Sequence, residues 1–233
     1  QLRQGSDSLA TLLSKAVPGM ADSSHTITDY GQTLRGRNML VLVAGTPLNT
    51  NRDSSRNLAN VNPADIEQIE VLRGPSSSLY GAGMPAGIIN QVQKRAQAGD
   101  FAEAGAGLDS NSSGQLFFDV NRSPSEVLSW RLTGIARDDQ TQLDELTNKR
   151  GYLGAAMRLN TDGATTIDLL ASITDDSPIS PVGIPYALTS LGNSIFRGDD
   201  EDLRDIYTGE PGFDASDRRM WNLGVEISHE LEI

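Results

Sequence analysis

Several residues of this chain could take part in chemistry, but their spacing does not form a catalytic site. The two histidines, His25 and His229, lie in different predicted elements. No serine–histidine–aspartate set, HExxH motif or phosphate-binding loop accompanies them, and Gly81-Ala82-Gly83 indicates a turn because no strand–loop–helix surrounds it. The sequence therefore predicts no enzyme, no catalytic residue and no cofactor.

Metal binding is also not indicated. An acidic tract, Asp199-Asp200-Glu201-Asp202 with Asp205, offers the oxygen ligands that calcium uses, but its spacing matches no calcium loop. A solvated loop is the preferred interpretation of this tract, and no metal site is predicted.

Two arginine–glycine pairs are the most distinctive charged features of the first hundred residues. Arg35 precedes Gly36 and Arg73 precedes Gly74, each at a predicted junction between a strand and a turn. A guanidinium enclosed by protein needs carboxylate partners, whereas one at a surface is simply hydrated. Both readings stay open from the residues alone.

Composition excludes some classes of protein. Residues 1–97 carry nine Lys/Arg against seven Asp/Glu, a net of +2, and residues 98–233 carry ten against twenty-four, a net of −14, which together give the formal −12. Such acidity argues against nucleic acid, whose binders present basic patches. The chain has no cysteine and no run of eighteen apolar residues, so disulfides and a transmembrane helix are excluded.

The first part of the chain reads as a compact α/β unit. An apolar helical face around Leu9 to Ala16 ends at Pro18-Gly19, and a strand from Met39 to Val43 ends in a turn at Ala44-Gly45. After a short helix with Pro63 in its first turn, the apolar run Ile69 to Leu72 enters the turn Arg73-Gly74-Pro75. A Ser/Tyr/Gly loop, Ser78 to Gly83, and a second apolar run, Gly87 to Val92, follow.

This ordered block resembles the plug domain of TonB-dependent outer-membrane receptors, over about residues 8–95. The motifs that carry the resemblance are Ile69 to Pro75, Ser78 to Gly83 and Gly87 to Asn90. Ala44 departs from the family, which usually has an acidic residue at that place, and this weakens one turn hydrogen bond.

After Lys94-Arg95 the pattern changes to period two, with about six candidate strands. Alternation predicts one polar face, including Arg131, Thr133, Asn222, Glu226 and Ser228, and one apolar face, including Trp130, Leu132, Trp221, Leu223, Val225 and Ile227. Connections after the second and fourth strands are short, Arg122 to Ser125 and Thr161 to Ala164, whereas those after the third and fifth are predicted to be long, Asp138 to Arg150 and Asp176 to Ser216. This asymmetry is typical of outer-membrane barrels, with lipid outside, a wet lumen inside and short turns on the periplasmic side. A soluble β-sandwich is the alternative interpretation.

The predicted fold is therefore a plug, an α+β unit with a small mixed sheet, inside an antiparallel transmembrane β-barrel. The plug is expected at residues 1–97 and the first barrel strands at residues 98–233. A lumen that holds such a plug needs on the order of 22 strands, so the barrel is expected to be incomplete here. No signal peptide is visible, and the chain reads as a mature or internal fragment.

The resemblance implies a receptor in the outer membrane of a Gram-negative bacterium, surrounded by lipid, that takes up a ferric siderophore. A TonB-type protein would supply energy by pulling on the plug. Haem, cobalamin or a saccharide are alternative ligands for the same architecture, and a sandwich-type surface protein without transport is the alternative from another class.

The resemblance also assigns roles to residues. Plug loops that face outward in the family coincide with polar groups suited to an anionic or oxygen-rich iron chelate: His25, Arg37, Asn38, Asn51 and Arg52. Arg35 and Arg73 are implied as anchors that pair with barrel glutamates, either in strands beyond this chain or among Glu226, Glu230 and Glu232. Solvated turn residues remain the alternative for each position.

Overall fold

The fold is taken from a computed structural model of the chain. It describes residues 9–21, 33–37, 40–47, 63–74, 86–110, 112–140, 145–161, 163–179, 209–210, 213 and 217–231. All structural statements below concern these residues.

The first unit combines one helix with two small sheets. Helix α1 spans Leu9–Ala16 and ends where Gly19 adopts a φ of 84°, so the Pro18-Gly19 stop is confirmed. The remaining elements of the unit are the strands β1 (Met20–Ala21), β2 (Thr33–Leu34), β3 (Leu40–Val43) and β4 (Thr46–Pro47), a 3-10 turn (Pro63–Asp65), and the strands β5 (Ile66–Arg73) and β6 (Gly87–Gln93). We refer to α1 through β6 as the plug unit.

The four-stranded sheet of the plug unit is mixed, as predicted, with the order β4-β3-β6-β5. Strand β6 pairs in parallel with β3 and antiparallel with β5. Apolar residues of the sheet pack beneath α1 and the β1-β2 pair, with Leu34, Val41 and Ile89 fully buried. This core fixes the two central strands, and through them the chain that leaves β6.

The hairpin between β3 and β4 has an unusual backbone. Ala44 and Gly45 both have positive φ, 48° and 78°, which is the pattern of a type I′ turn and favours Asn-Gly over Ala-Gly. The side chain of Asn90 supports the turn from the neighbouring strand, since its Oδ1 accepts a hydrogen bond from the Gly45 N–H at 3.0 Å. A hydrogen bond from the turn to a side chain distant in the sequence thus holds this turn.

The second unit is one antiparallel sheet with its strands in sequence order. We refer to it as the wall. Its strands are β7 (Phe101–Leu108), β8 (Gly114–Arg122), β9 (Leu128–Gln140), β10 (Thr147–Asn160), β11 (Thr165–Pro178) and β12 (Arg218–His229). A sandwich would need two packed sheets, so the wall does not support the sandwich alternative.

The predicted register of the wall is confirmed. On β9, Arg131 and Thr133 are buried, whereas Leu132 between them is 40% exposed. On β12, Val225 is 68% exposed on the outer face and Glu226 makes contacts on the inner face. One face of the wall therefore carries an apolar band, and the other faces the plug unit.

The predicted length of one connection is wrong. Residues 138–150 were expected to form a long loop, but β9 continues to Gln140 and β10 begins at Thr147. The strands continue because their polar inner residues pair with one another. Across the sheet, the Arg150 Nε of β10 donates to the Asp176 Oδ1 of β11 at 3.2 Å, and within β9 the Arg137 Nη2 donates to the Asp139 Oδ1 at 2.8 Å. The later connection lies within residues 179–217, most of which fall outside the described part of the chain.

Replacement of Leu223 by arginine tests the outer face. Leu223 is 88% exposed at the middle of the β12 apolar run. A charge at mid-bilayer costs roughly 2–4 kcal/mol in barrel stability. We expect that loss for Leu223→Arg in urea titrations of the full protein in lipid. The neighbouring change Asn222→Arg, on the inner face, is the control, and an equal loss there would contradict the register.

The β3-β4 turn gives a second test. Asparagine tolerates positive φ better than alanine does, so Ala44→Asn should stabilise the plug unit by about 1 kcal/mol. Hydrogen exchange of the β3 and β6 amides measures this opening free energy. Ala44→Val should lower it, because a β-branched residue is strained at positive φ. Equal exchange in both variants would contradict the turn assignment.

Candidate functional site: the charged seam between the plug unit and the wall

The plug unit meets the wall near the end of the sheet where β8 connects to β9 and β10 connects to β11. The linker, residues 94–100, leaves β6 and enters β7 at this end. Inner-face residues of the wall sit within a few positions of the same end: Asp119, Arg131, Arg158, Asp168 and Glu226. We refer to the contact of the plug unit and linker with these residues as the seam.

Arg131 is the central residue of the seam. Its side chain is 6% exposed, and its Nε and Nη2 donate to the two oxygens of Asp119 at 2.7 Å each. Its Nη1 donates to Glu67 Oε2 of β5 at 2.9 Å and to the Arg95 carbonyl at 3.2 Å. The guanidinium also lies 5.1 Å from the centre of the Phe101 ring. One wall residue therefore binds β5, the linker and two other wall strands.

The linker arginine forms a second connection. Arg95 donates from Nη1 and Nη2 to the two carboxylate oxygens of Glu226, at 3.0 and 2.5 Å. It also reaches Asp168 at 3.2 Å, and Asp168 is held from the wall side by Arg158 at 2.7 and 2.8 Å. Fork-shaped pairing of this kind fixes orientation as well as distance.

Lys94 adds a third ion pair, with 2.8 Å between its Nζ and Asp119 Oδ2. Asp119 is thus shared between a cation of the linker and the Arg131 guanidinium. Because the two oxygens of a carboxylate can accept several hydrogen bonds, both contacts are satisfied at once.

Polar contacts also fix the path of the linker. Asn121 is fully buried, and its Nδ2 donates to the carbonyls of Gln97 and Gly99 at 2.8 and 2.6 Å. Asp100 accepts hydrogen bonds from the Ser123 N–H at 2.8 Å and from Arg122 at 3.0 Å. The hydrogen bond from Ser123, followed by that from Arg122, lowers the pKa of Asp100. The linker is therefore held along its length and not only at Arg95.

An apolar contact lies beside the charges. Ala64 of the 3-10 turn packs against Ile135 and Tyr152 of the wall, and all three are buried. The next residue, Asp65, is 8% exposed and accepts a hydrogen bond from Gln93 Nε2 at 2.6 Å. A cavity of about 560 Å³ opens next to Asp65, bounded by the β3-β4 turn and by β9 to β12.

Only some of the predicted site residues lie within the described part of the chain. His25, Asn38, Asn51 and Arg52 lie outside the described residues. Arg37 forms an exposed β-bridge with Leu34. Arg35 and Arg73 are exposed, Arg35 at a φ of 54°, and neither contacts a carboxylate among the described residues. Their anchoring role stays a prediction.

Strand directions give the position of Arg37 and Arg73 along the plug unit. Strand β6 runs toward the seam, β3 is parallel to it, and β5 runs away from the seam. Arg73 is therefore at the end of the sheet opposite the seam. Arg37 precedes the start of β3 at that same end by three residues, a span of at most about 10 Å.

Sequence reasoning named some residues of the seam but not their pairing. Glu226 was a candidate partner for a plug arginine, and it pairs with Arg95 instead of Arg35 or Arg73. Glu230 is exposed, and Glu232 lies outside the described residues. Arg131 was placed correctly on the inner face. The sequence signal that could have indicated the linker cations is the basic pair Lys94-Arg95, which directly follows the last plug strand.

In the described ranges, no group of three or more Asp, Glu, His or Cys side chains is arranged to hold a metal ion. The described helices include none with the length and apolarity needed to cross a membrane.

Removing Arg131 should loosen the seam. Loss of one partner from a buried ion pair costs about 3–5 kcal/mol, because the remaining charge stays buried. We expect this loss of unfolding free energy for Arg131→Met in the full protein, together with faster proteolysis in the linker. Arg122→Met is the matched control, since Arg122 and Asp100 are 49% and 53% exposed, and it should cost no more than about 1 kcal/mol. Similar losses in both variants would contradict the central position of Arg131.

Comparison with known proteins agrees with this architecture. The family model described as TonB-dependent Receptor Plug Domain matches residues 2–88. The ferric aerobactin receptor of Klebsiella pneumoniae is 42% identical over 110 residues, which are 47% of this chain and 15% of the relative. The ferrioxamine receptor of Yersinia enterocolitica is 28% identical over 178 residues, 76% of this chain and 24% of the relative. The chain thus spans a quarter or less of these relatives.

Solved structures show the same fold. The ferripyoverdine receptor of the outer membrane of Pseudomonas aeruginosa superposes with a TM-score of 0.71 at 18% identity, over 92% of this chain and 28% of the receptor. The siderophore receptor PiuA of Acinetobacter baumannii gives a TM-score of 0.67 at 19% identity, over 83% and 27%. Together with the plug-domain match over residues 2–88 and the seam that joins the plug unit to the wall, these findings show a plug domain followed by strands of a barrel wall, the architecture of the TonB-dependent receptors that the chain resembles.

Proposed function

We propose that the protein to which this chain belongs is an outer-membrane receptor of a Gram-negative bacterium that takes up a ferric siderophore. The observation that carries the proposal is the seam, in which a folded plug unit is attached to the inner face of a barrel wall. An attached plug closes a lumen, so passage of a solute requires the plug to move. Such a device serves regulated uptake rather than catalysis.

The ligand class is supported by the relatives. Relatives of this chain include receptors for ferric aerobactin, ferrioxamine and rhizobactin. These names concern those proteins, and their agreement on iron chelates favours a siderophore over haem, cobalamin or a saccharide for this chain. Energy would come from a TonB-type partner, as in the family.

Ligand capture is proposed at the end of the plug unit opposite the seam. The proposed residues are His25, Arg37, Asn38, Asn51 and Arg52. Two features support this location. The linker enters the wall at the end opposite the long connection between β11 and β12, residues 179–217. Long loops are extracellular in outer-membrane barrels, so the linker end corresponds to the periplasmic end. The direction of β3 puts the chain around Arg37 toward the other end. Cationic groups there would meet an anionic chelate as it enters.

Alanine at both Arg37 and Arg52 in the full receptor tests this site. Hydrogen bonds from charged groups contribute about 1.5–3 kcal/mol, so losing such contacts should weaken binding of ferric aerobactin by about tenfold or more. Thermal stability should not change, because Arg37 is exposed. Arg122→Ala, at the end of the wall that carries the seam, is the control and should bind as the parent does.

A panel of ligands tests the proposed function separately from the proposed binding residues. Binding of ferric aerobactin or ferrioxamine B, but not of haem or cobalamin, is expected for the parent receptor. Siderophore binding that both arginine variants retain would contradict the site and leave the function. Binding of haem or cobalamin alone would contradict the proposed ligand class.

A further inference from the structure

Asp65 is the one carboxylate of the described seam for which no salt bridge is formed within the described residues. The ion pairs there join four cations, Lys94, Arg95, Arg131 and Arg158, to four carboxylates, Glu67, Asp119, Asp168 and Glu226. Asp65 would be a fifth negative charge. A buried carboxylate without its own cation is costly, and protonation removes that cost.

The surroundings of Asp65 fit a neutral carboxyl group. It closes the 3-10 turn beneath the wall, and its hydrogen bond comes from a neutral amide, Gln93 Nε2, at 2.6 Å. Across the seam lies Tyr152, whose hydroxyl is buried beside the Asp65 carboxyl without the geometry of a full hydrogen bond. A protonated carboxyl has an O–H to donate as well as oxygens that accept, so it can serve both neighbours.

Charged groups approach Asp65 from two other elements. Lys94 follows β6, and Arg131 lies on β9, but each is occupied by its own carboxylates. Burial is the largest influence and raises the pKa of Asp65. The nearby Tyr152 hydroxyl, the hydrogen bond from Gln93 and the charges of Lys94 and Arg131 oppose this increase only in part. The cavity of about 560 Å³ beside the carboxyl gives a route by which a proton can enter or leave.

We propose that Asp65 is a proton-binding group at the seam, and that its protonation strengthens the attachment of the plug unit to the wall. This inference rests on the proposed function only in that plug movement matters for uptake. Because the pKa of Asp65 is higher in the seated state than in the released state, the stabilisation is complete below the ordinary aspartate pKa. This stabilisation is lost as the pH rises through the pKa that Asp65 has when the plug unit is attached to the wall.

For the receptor, the consequence is that the strength of attachment between the plug unit and the wall depends on pH. The plug is held more firmly in acid and is released more easily as the pH rises. The paired carboxylates give the opposite dependence, since ion pairs such as Arg131–Asp119 weaken only when the pH falls below their own pKa values. The two effects act in different pH ranges and can be separated.

Hydrogen exchange of the β5 and β6 amides in the full, unliganded receptor measures how firmly the plug unit is attached to the wall. After correction for intrinsic exchange, protection in the parent should fall as the pH rises above the ordinary aspartate range and through the raised pKa of Asp65, by up to tenfold per pH unit across the titration. Asp65→Asn is isosteric and neutral at every pH. It should show a flat profile, at the level that the parent reaches in acid.

Asp100→Asn is the matched control. Asp100 lies on the linker, is exposed, and has a lowered pKa through its hydrogen bond from Ser123. This variant should keep the slope of the parent. Tyr152→Phe is a second variant for the event that Asp65→Asn folds poorly. It removes a contact that lowers the pKa of Asp65, so the titration should move to higher pH.

Two results would overturn the inference. One is that amide protection in Asp65→Asn falls with rising pH as steeply as it does in the parent. The other is weaker seating of Asp65→Asn than of the parent near neutral pH, which would mean that the ionised carboxylate stabilises the seam. Because no ligand is present, these outcomes do not depend on siderophore binding, and failure of the ligand panel would leave them unaffected.

Discussion

A buried guanidinium must have its charge and its N–H groups compensated, and Arg131 is where this requirement organises the structure. Its partners come from β5, from the linker and from β8, which are far apart in the chain. Asp119 belongs to the wall, but Glu67 and the Arg95 carbonyl can reach Arg131 only if the plug unit occupies one position against the wall. The position of the plug unit thus follows from satisfying a single wall side chain.

Which residues face inward could be predicted from the sequence, because side chains alternate along a strand with a period of two. Arg131, Thr133 and Glu226 are on the predicted face for this reason. Which residues meet could not be predicted in the same way. Arg95 and Glu226 are separated by 131 positions. Their contact depends on where each residue lies along the strand direction, and the sequence pattern did not predict all strand lengths correctly. Charged inner residues such as Arg150 extend β10 beyond the apolar band.

The prediction of anchors shows the same limit. Arg35 and Arg73 stand out in the sequence because each sits in a motif with glycine, and both are exposed in the described part of the plug unit. Arg95 has no motif beyond the basic pair with Lys94, yet it forms a forked pair with Glu226. Local patterns identify turns well, since a turn depends on a few neighbouring residues. A contact between two sheets depends on both sheets at once.

The seam combines strong and weak pairs in an order that favours reversible attachment. Within the wall, Arg131 and Asp119 have side chains only 6% and 7% exposed, so this pair is costly to break. Two of the pairs across the seam involve Glu67 and Glu226, which are 51% and 49% exposed, where pairing is screened and contributes little. The linker pair Lys94–Asp119 is more deeply buried, at 12% and 7% exposure. When the plug unit leaves, Arg131 keeps Asp119 and Arg158 keeps Asp168. The wall is therefore not left with an unpaired buried arginine, and the plug unit can return to a site whose geometry has been preserved.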